Sequence, residues 1–165
     1  IAAELKTLLQ LTVVETTLAT NQDVLAKPAR WRKTVSMKVN GTPMLLRSQD
    51  YIAQYQSQSS NGQPKYYGEY DYNNWNFAPK PDDDYPVEII YYSLIQPLDL
   101  SNQQNLFTRE CPQAMLFGTL LQAQGYLKAL DKIPVWKQYY TESLAALKKE
   151  DSSRRIDRNT TVQEP

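Results

Sequence analysis

Two helical patterns follow one another in the stretch CPQAMLFGTLLQAQGYLKALDKIPVWKQYYTESLAALKKEDSSRRI, which covers residues 111–156. In the first half, apolar residues recur at intervals of three and four, the spacing that places side chains on one face of a helix. This stripe consists of Leu116, Leu120, Ala123, Leu127 and Leu130, widened by Phe117 and Leu121. It predicts a helix that faces a core.

A break and a second helix follow. Pro134 lacks a backbone N–H and has a fixed φ, which suits the first turn of a helix, so residues 131–134 are predicted to separate two helices. The apolar side of the second helix is predicted to consist of Val135, Trp136, Tyr139, Tyr140, Leu144 and Leu147. The stretch therefore predicts an antiparallel helical hairpin, followed by a charged tail.

The residues before this hairpin favour β-structure. Residues 11–19 are rich in β-branched side chains, which are common in strands. Residues 32–39 alternate, so that Val35, Met37 and Val39 are predicted to share one face. Residues 85–95 form a nearly continuous apolar run and are predicted to be a central strand.

Turn signals connect these strands. Asn40-Gly41 predicts a tight hairpin, because a type I′ turn needs positive φ at both central residues, and residues 42–46 are predicted to return as its second strand. Ser48 is predicted to cap a helix at residues 49–56. A second hairpin is predicted about Asn73-Asn74, with Trp75 and Phe77 on one face of its second strand, and residues 21–28 and 57–64 are predicted to be loops.

Together these elements predict an α+β fold. It consists of a helical bundle, made of the C-terminal hairpin and an N-terminal helix ending near residue 10, packed with an antiparallel sheet of about five strands. Residues 1–151 are predicted to form one domain, with a β-rich insertion at 11–96 and the helical hairpin at 106–151. Residues 152–165 are predicted to be an extended C-terminal arm. The chain begins at Ile1 without a methionine, so we expect an N-terminal portion to be missing.

Composition excludes several function classes. Lys plus Arg total 18 and Asp plus Glu total 18, so the formal net charge is zero, which argues against a general nucleic-acid binder. No apolar run reaches the length of about 18 residues that spans a membrane. The single cysteine, Cys111, cannot form an internal disulfide, as expected of a cytosolic protein. Twelve Tyr and three Trp against three Phe form an amphipathic aromatic set that is typical of interfaces.

Candidate catalytic residues are few. The chain has no histidine, no Gly-rich phosphate loop and no serine nucleophile motif. Asp82-Asp83-Asp84 is either a hard-cation site or a solvated turn, and we favour the turn because the spaced ligands of a calcium loop are missing. Cys111 precedes Pro112 at a helix start, but the chain has no histidine to serve as its usual base, so we interpret it as a structural or incidental thiol. We predict no enzymatic activity, no cofactor and no metal.

The aromatic strands and the tail are candidates for binding. The strands at 66–77 form either a stacking platform for sugar or single-stranded nucleic acid, or a sheet face that packs on helices or on a neighbouring subunit. The residues concerned are Tyr66, Tyr67, Tyr70, Tyr72 and Trp75. The packing interpretation is favoured, with Tyr70, Tyr72 and Trp75 as candidate interface aromatics. The charged tail cannot bury enough apolar surface to fold alone, so it is either disordered or held by a partner.

The chain resembles the tailed-bacteriophage head-to-tail adaptor proteins, also called head-completion or neck connector proteins. The resemblance lies in the Asn40-Gly41 hairpin, the short helix after it, GQPKYY at 62–67 and the PKPDDDYPVEIIYY segment at 79–92. The helical stretch at 111–155 is the most specific part, with Val135-Trp136 opening its second helix and Arg154-Arg155 in its charged end.

This resemblance implies a non-enzymatic virion protein in the neck between head and tail, assembled in the host cytoplasm. It implies a homo-oligomeric ring, usually a dodecamer, that binds the portal protein and a downstream tail or nozzle protein. Genomic DNA would pass through the ring without sequence-specific binding, and no membrane is involved. The C-terminal segment reaches the portal in related adaptors, so the resemblance implies portal contact by Arg154, Arg155, Ile156 and Arg158. The alternative function is the carbohydrate- or surface-binding β module.

Overall fold

The computed structural model of the chain describes residues 7–127 and 130–155. The chain divides into two units, which we call the sheet unit, Gln10–Leu94, and the helical unit, Ile1–Leu9 with Ile95–Pro165. The mixed α+β class predicted from the sequence is confirmed. No described helix is both long enough and apolar enough to cross a membrane.

The described part of the sheet unit contains eight strands in two sheets of four. The strands are β1 (Leu11–Leu18), β2 (Val24–Ala26), β3 (Trp31–Val39), β4 (Thr42–Pro43), β5 (Leu45–Leu46), β6 (Tyr66–Glu69), β7 (Asn74–Ala78) and β8 (Tyr85–Ser93). One sheet has the order β1-β8-β3-β4 and the other β2-β7-β6-β5. The predicted central position of the strand from Tyr85 is confirmed, since β8 pairs with β1 on one side and β3 on the other.

The two sheets share one core. The buried residues that form it are Leu18, Met37, Val39, Met44, Tyr67, Trp75, Phe77, Val87, Ile89 and Tyr91. Trp75 and Phe77 lie on the same face of β7 as predicted, and both are fully buried. Because strands of both sheets contribute, this core fixes how the sheets pack within the unit.

The hairpin from β3 to β4 forms as its turn residues predict. Asn40 has φ 48° and Gly41 has φ 75°, so both central residues have positive φ. Val39 then pairs with Thr42 and Lys38 with Pro43.

The prediction that Val35 shares a strand face with Met37 and Val39 is wrong. The pairing of β3 with β8 shifts register between Thr34 and Ser36, so one residue is inserted into the strand at this point. A β-bulge of this kind changes which face the following residues occupy. Met37 and Val39 are therefore buried, whereas Val35 is exposed.

Short strands account for the difference between the eight described strands and the prediction of about five. The loop predicted at 21–28 contains β2, and the return strand predicted at 42–46 is two strands in different sheets. After β4, the buried Met44 is followed by β5, which pairs in parallel with β6. Strands of two or three residues are too short to show an alternating pattern.

Helix α1 (Gln49–Gln58) covers β6 and β7. The Ser48 hydroxyl accepts a hydrogen bond from the Tyr51 N–H, so the predicted N-cap is confirmed, and the helix ends two residues later than predicted. Ile52 is fully buried and faces Gly68 of β6, where the missing side chain lets the helix approach closely.

The described helical unit contains α2 (Leu106–Glu110), α3 (Pro112–Leu127), a 3-10 turn (Leu130–Lys132) and α4 (Ile133–Arg155). Pro134 lies in the first turn of α4, so the predicted break is confirmed. The Cys111 thiol donates to the Ser143 carbonyl at 3.6 Å, and the rings of Phe117 and Tyr139 are 5.1 Å apart. These contacts show that α3 and α4 are antiparallel.

The apolar stripe predicted for α3 is only partly buried. Phe117, Leu120, Leu121 and Ala123 are half-buried, and the side chains of Leu127 and Leu130 lie outside the described residues. The core of the helical unit consists of Phe107, Cys111, Ala114, Leu144 and Leu147, whereas Leu116 is 57% exposed. Small residues at Cys111 and Ala114 let α4 approach α3 closely at this point. Leu144 and Leu147 of the predicted α4 face are buried, but Val135 and Tyr139 are exposed.

The predicted terminal segments are described in part. Of the predicted N-terminal helix, Leu8–Gln10 forms one 3-10 turn, and residues 1–6 lie outside the described residues. The first four residues of the predicted arm are the last turn of α4, and residues 156–165 also lie outside.

Candidate functional site

The turn between β6 and β7 presents two exposed tyrosines. Tyr70 is 53% exposed and Tyr72 is 81% exposed. We call residues 70–73 the tyrosine loop. Large aromatic side chains on a surface turn contribute little to the fold around them, so they are available for contact with another molecule.

Asp71 fixes the backbone of the tyrosine loop from within. Its carboxylate accepts hydrogen bonds from the Asn73 N–H at 2.6 Å and from the Asn74 side-chain amide at 2.8 and 3.0 Å. The Asn74 amide, and then the Asn73 N–H, lower the pKa of Asp71 because both donate to its charged form. The loop is therefore a defined Asx-type turn.

Lys27 also orders the tyrosine loop, through hydrogen bonds to its backbone carbonyls. Its ammonium donates to the carbonyls of Asp71 at 2.9 Å and Tyr72 at 3.2 Å, and it pairs with the Glu69 carboxylate. The Lys27 side chain is only 4% exposed, and its ammonium lies 4.1 Å from the centroid of the Trp31 ring. A buried cation with these partners orders the backbone that carries Tyr70 and Tyr72.

Trp75, the third aromatic residue predicted for an interface, is fully buried. Its ring makes an edge-to-face contact with Trp31, with centroids 5.9 Å apart. Trp75 therefore supports the tyrosine loop from the core and is not on the surface of the chain.

The five aromatic residues of the predicted stacking platform do not share an exposed face. Tyr67 and Trp75 are buried, and Tyr66 packs edge-on against Tyr51 and Tyr55 of α1. Only Tyr70 and Tyr72 of that set are exposed, and they lie in a turn. This geometry gives no support to the carbohydrate-binding alternative.

A second aromatic cluster, formed by Arg47, Tyr51 and Tyr66, had almost no signal in the sequence. The Arg47 guanidinium lies 5.5 Å from the Tyr51 ring centroid and 5.7 Å from that of Tyr66. A hydrogen bond with Tyr66 raises the pKa of Tyr51. Leu45 and Leu46 are exposed beside it on β5, the edge strand of its sheet. The only sequence signal was the unexplained pair of leucines before the Ser48 cap.

The C-terminal candidates are described only at Arg154 and along the helical backbone. Arg154 bonds to Glu150 at 2.5 Å, and both side chains are about half exposed. Arg155 is the last residue of α4. Ile156 and Arg158 lie outside the described residues. An exposed pair of this kind contributes little to stability, so the Arg154 guanidinium can exchange Glu150 for another carboxylate.

The Asp82-Asp83-Asp84 cluster makes hydrogen bonds within and beside its own turn. Asp84 accepts from the N–H of Thr20 at 2.8 Å and from its hydroxyl at 2.9 Å, and these bonds lower the pKa of Asp84. Asp82 accepts from the Tyr85 hydroxyl at 2.7 Å. Across residues 7–127 and 130–155, no group of three or more His, Cys, Asp or Glu side chains is arranged to hold a metal ion.

Cys111 lines a cavity of about 330 Å³ in the helical unit. The thiol is buried in the core and donates to a backbone carbonyl. Glu110 and Glu150 also line this cavity, and both already pair with neighbouring arginines.

The described surfaces are of the kind that binds other proteins: an ordered loop with exposed tyrosines, an arginine–tyrosine cluster and exposed apolar helix residues. Comparison with known families agrees with this. The chain belongs to the SU10 adaptor protein family, which matches residues 1–163. It is thus a structural adaptor protein of a phage and a component of the virion, from a family that interacts with other phage structural proteins and is generally non-enzymatic. No curated protein matches the chain.

Proposed function

We propose that this chain is a subunit of a homo-oligomeric ring in the phage neck, which joins the portal protein to the tail and continues the DNA channel. The observation that carries the proposal is membership of the adaptor family over residues 1–163. The resemblance of the sequence to head-to-tail adaptors supplies the portal and the downstream tail or nozzle protein as partners. A dodecamer is the expected form.

The formal net charge supports a channel subunit without a general DNA-binding surface. The formal net charge is zero, so a general phosphate-binding surface is not favoured. Zero net charge also removes the long-range repulsion that would oppose the assembly of identical copies.

The end of α4 and the residues after it are proposed to contact the portal. Arg154, Arg155, Ile156 and Arg158 combine forked guanidinium donors with one apolar side chain. Arginine pairs with carboxylates through two parallel hydrogen bonds, and this pairing fits an acidic site on a partner. If the arm becomes ordered on binding, it loses conformational entropy. The arginine–carboxylate hydrogen bonds must offset this unfavourable contribution to the binding free energy.

The test is portal binding by two variants and a matched control. A chain that ends at Arg155 keeps all of α4, so it should fold like the wild type and bind portal rings at least about tenfold more weakly. Arg154→Ala should also weaken binding. Arg109→Ala is the control, because Arg109 is likewise exposed and paired with a neighbouring glutamate, Glu110.

The readout is co-sedimentation with portal rings, together with circular dichroism to verify folding. Wild-type affinity for the shortened chain would disprove the assignment of the arm while leaving the ring intact. Equal losses for Arg154→Ala and Arg109→Ala would show that the effect is one of general charge. A wild-type chain that does not bind the portal would contradict the proposed function itself.

A further inference from the structure

The last part of α4 contains one acidic side chain that is withdrawn from solvent. Asp151 is half-buried, whereas the three residues that follow it are exposed. Ser153 and Arg154 bond back to Glu150 within the helix. Asp151 instead accepts a hydrogen bond from outside the helix, from the Leu8 backbone N–H at 2.5 Å. The end of α4 is therefore tied to a segment near the start of the chain.

This N-terminal segment is itself packed. Thr7 is 2% exposed, and Leu8 is half-buried and opens the 3-10 turn Leu8–Gln10. The first N–H groups of a helical turn have no acceptor within it, so the Asp151 carboxylate satisfies a donor that needs a partner. A charged acceptor makes a stronger hydrogen bond than a neutral one. The contact therefore joins a packed backbone segment to the helix and is not a meeting of two exposed surface groups.

The contact lies beyond the part of α4 that packs on α3. Helix α3 begins at Pro112, and the preceding Cys111 bonds to the Ser143 carbonyl of α4. Asp151 lies about 12 Å further along α4, given the rise per residue of a helix. Because the two helices are antiparallel, the last turn of α4 extends past the start of α3. Helix ends fray where packing does not hold them, so the bond to Leu8 supplies a fixed point there.

The helix itself does not account for an acid at this position. The helix dipole disfavours negative charge near the C-terminal end of a helix. The neighbouring Glu150 is compensated by its pair with Arg154. The charge of Asp151 weakens α4 on its own and is accounted for by the bond to the N-terminal segment.

We propose that Asp151 is a positioning residue, which holds the last turn of α4 to Leu8 and so fixes where Arg154 and Arg155 leave the helix. This inference rests on the proposed contact of these arginines with the portal protein. The paired hydrogen bonds between a guanidinium and a carboxylate require a defined geometry. A helix end that is held in place before binding loses less conformational entropy when the partner docks.

Three substitutions in the full chain separate this role from the effect of a charge on the helix. Asp151→Ala removes the acceptor, whereas Asp151→Asn removes the charge but keeps an oxygen that can accept the Leu8 N–H. Glu150→Ala is the matched control, because it removes an adjacent charge that pairs with Arg154 instead. Amide hydrogen exchange followed by NMR measures the protection of Leu8 and of the last turn of α4. Co-sedimentation measures the affinity for portal rings, and circular dichroism verifies folding.

We expect Asp151→Ala to speed amide exchange at Leu8 and in the last turn of α4 about tenfold, as on loss of one charge-assisted hydrogen bond. Its affinity for portal rings should fall at least about threefold. Asp151→Asn should restore most of the protection and of the affinity, although it lacks the same charge. Glu150→Ala should leave the Leu8 amide as protected as in the wild type.

Two results would overturn the positioning role while leaving the proposed function intact. In the first, the last turn of α4 exchanges as slowly in Asp151→Ala as in the wild type, or more slowly, as the helix dipole alone predicts. In the second, exchange becomes faster but portal rings bind Asp151→Ala as tightly as the wild type. A wild-type chain that does not bind portal rings would contradict the proposed function, and the positioning role with it.

Discussion

At the scale of single residues, Lys27 is the side chain that links the core to the exposed tyrosines. Burying an ammonium costs free energy unless it is fully hydrogen-bonded, and Lys27 meets this condition through Glu69 and two backbone carbonyls. The Trp31 ring beneath it adds a cation–π contact. The position of Tyr72 therefore depends on a residue that precedes it by 45 positions.

Replacing this cation should destabilise the sheet unit. Lys27→Met keeps much of the side-chain volume but removes the charge and its hydrogen bonds, so we expect the free energy of unfolding to fall by about 2 kcal/mol. Urea denaturation followed by tryptophan fluorescence measures this. Lys33→Met, at an exposed position of β3, is the control and should change stability by less than about 0.5 kcal/mol. Equal effects of the two substitutions would contradict a special role for Lys27.

Residues whose partners are local were predictable from the sequence. Asn40 and Gly41 form their turn, and Ser48 caps its helix, because these structures depend on neighbours within a few positions. Lys27 was not predictable, since Glu69 is 42 positions away and no spacing rule connects them. The burial of Trp75 was likewise hidden, because sequence alternation does not say which side of a strand faces the core.

At the scale of elements, the packing of α1 on its sheet depends on Gly68. A Cβ at this position would lie 2.9 Å from the Asn76 side-chain oxygen, 3.0 Å from the Arg47 carbonyl oxygen and 3.1 Å from Ile52. One of these atoms belongs to the backbone that leads into α1 and cannot rotate away. Helix α1 carries Tyr51 and Tyr55, so this contact also positions the arginine–tyrosine cluster.

Gly68→Ala should therefore reduce the free energy of unfolding by about 1–3 kcal/mol, the usual cost of inserting a methyl group into a packed site. Gly62→Ala is the matched control, because its Cβ would meet only Pro79 at an ordinary 3.9 Å. We expect less than about 0.5 kcal/mol for the control. Comparable urea midpoints for the two variants would mean that α1 can move away from β6 without loss.

The long strands were predicted well from the sequence. Very short strands, and a helix with apolar residues on both faces, were not. The strand from Tyr85 had enough residues for its pattern to be clear, whereas β2, β4 and β5 have two or three residues each. Helix α3 has apolar residues on both sides, so periodicity included Phe117, which packs on α4, but missed the buried Ala114 and included the exposed Leu116. This ambiguity has a physical cause. A helix without charged residues has no face that must stay in contact with water, so its pattern does not show which face packs on the core.

At the scale of the whole molecule, each of the two units has a core whose buried residues come from one continuous segment of the chain. Every buried residue of the sheet core lies between Leu18 and Tyr91, within one continuous segment. The helical core is formed between Phe107 and Leu147. A core that uses only residues of its own segment could form without the rest of the chain. That the β-rich insertion at 11–96 is separable stays a prediction.

Residues 10–94 should consequently fold alone, with a cooperative urea transition. The chain has three tryptophans, of which Trp31 and Trp75 lie in the sheet unit and Trp136 in α4. Trp136→Phe in the full chain therefore leaves fluorescence that reports on the sheet unit, and its transition should coincide with that of the excised segment. A segment that unfolds without cooperativity, or at a much lower midpoint, would show that the sheet core needs the helical residues. Coincident transitions would show that the stability of the sheet unit does not depend on the helical unit. The tyrosine loop would then keep its fold whatever partner the helical unit binds.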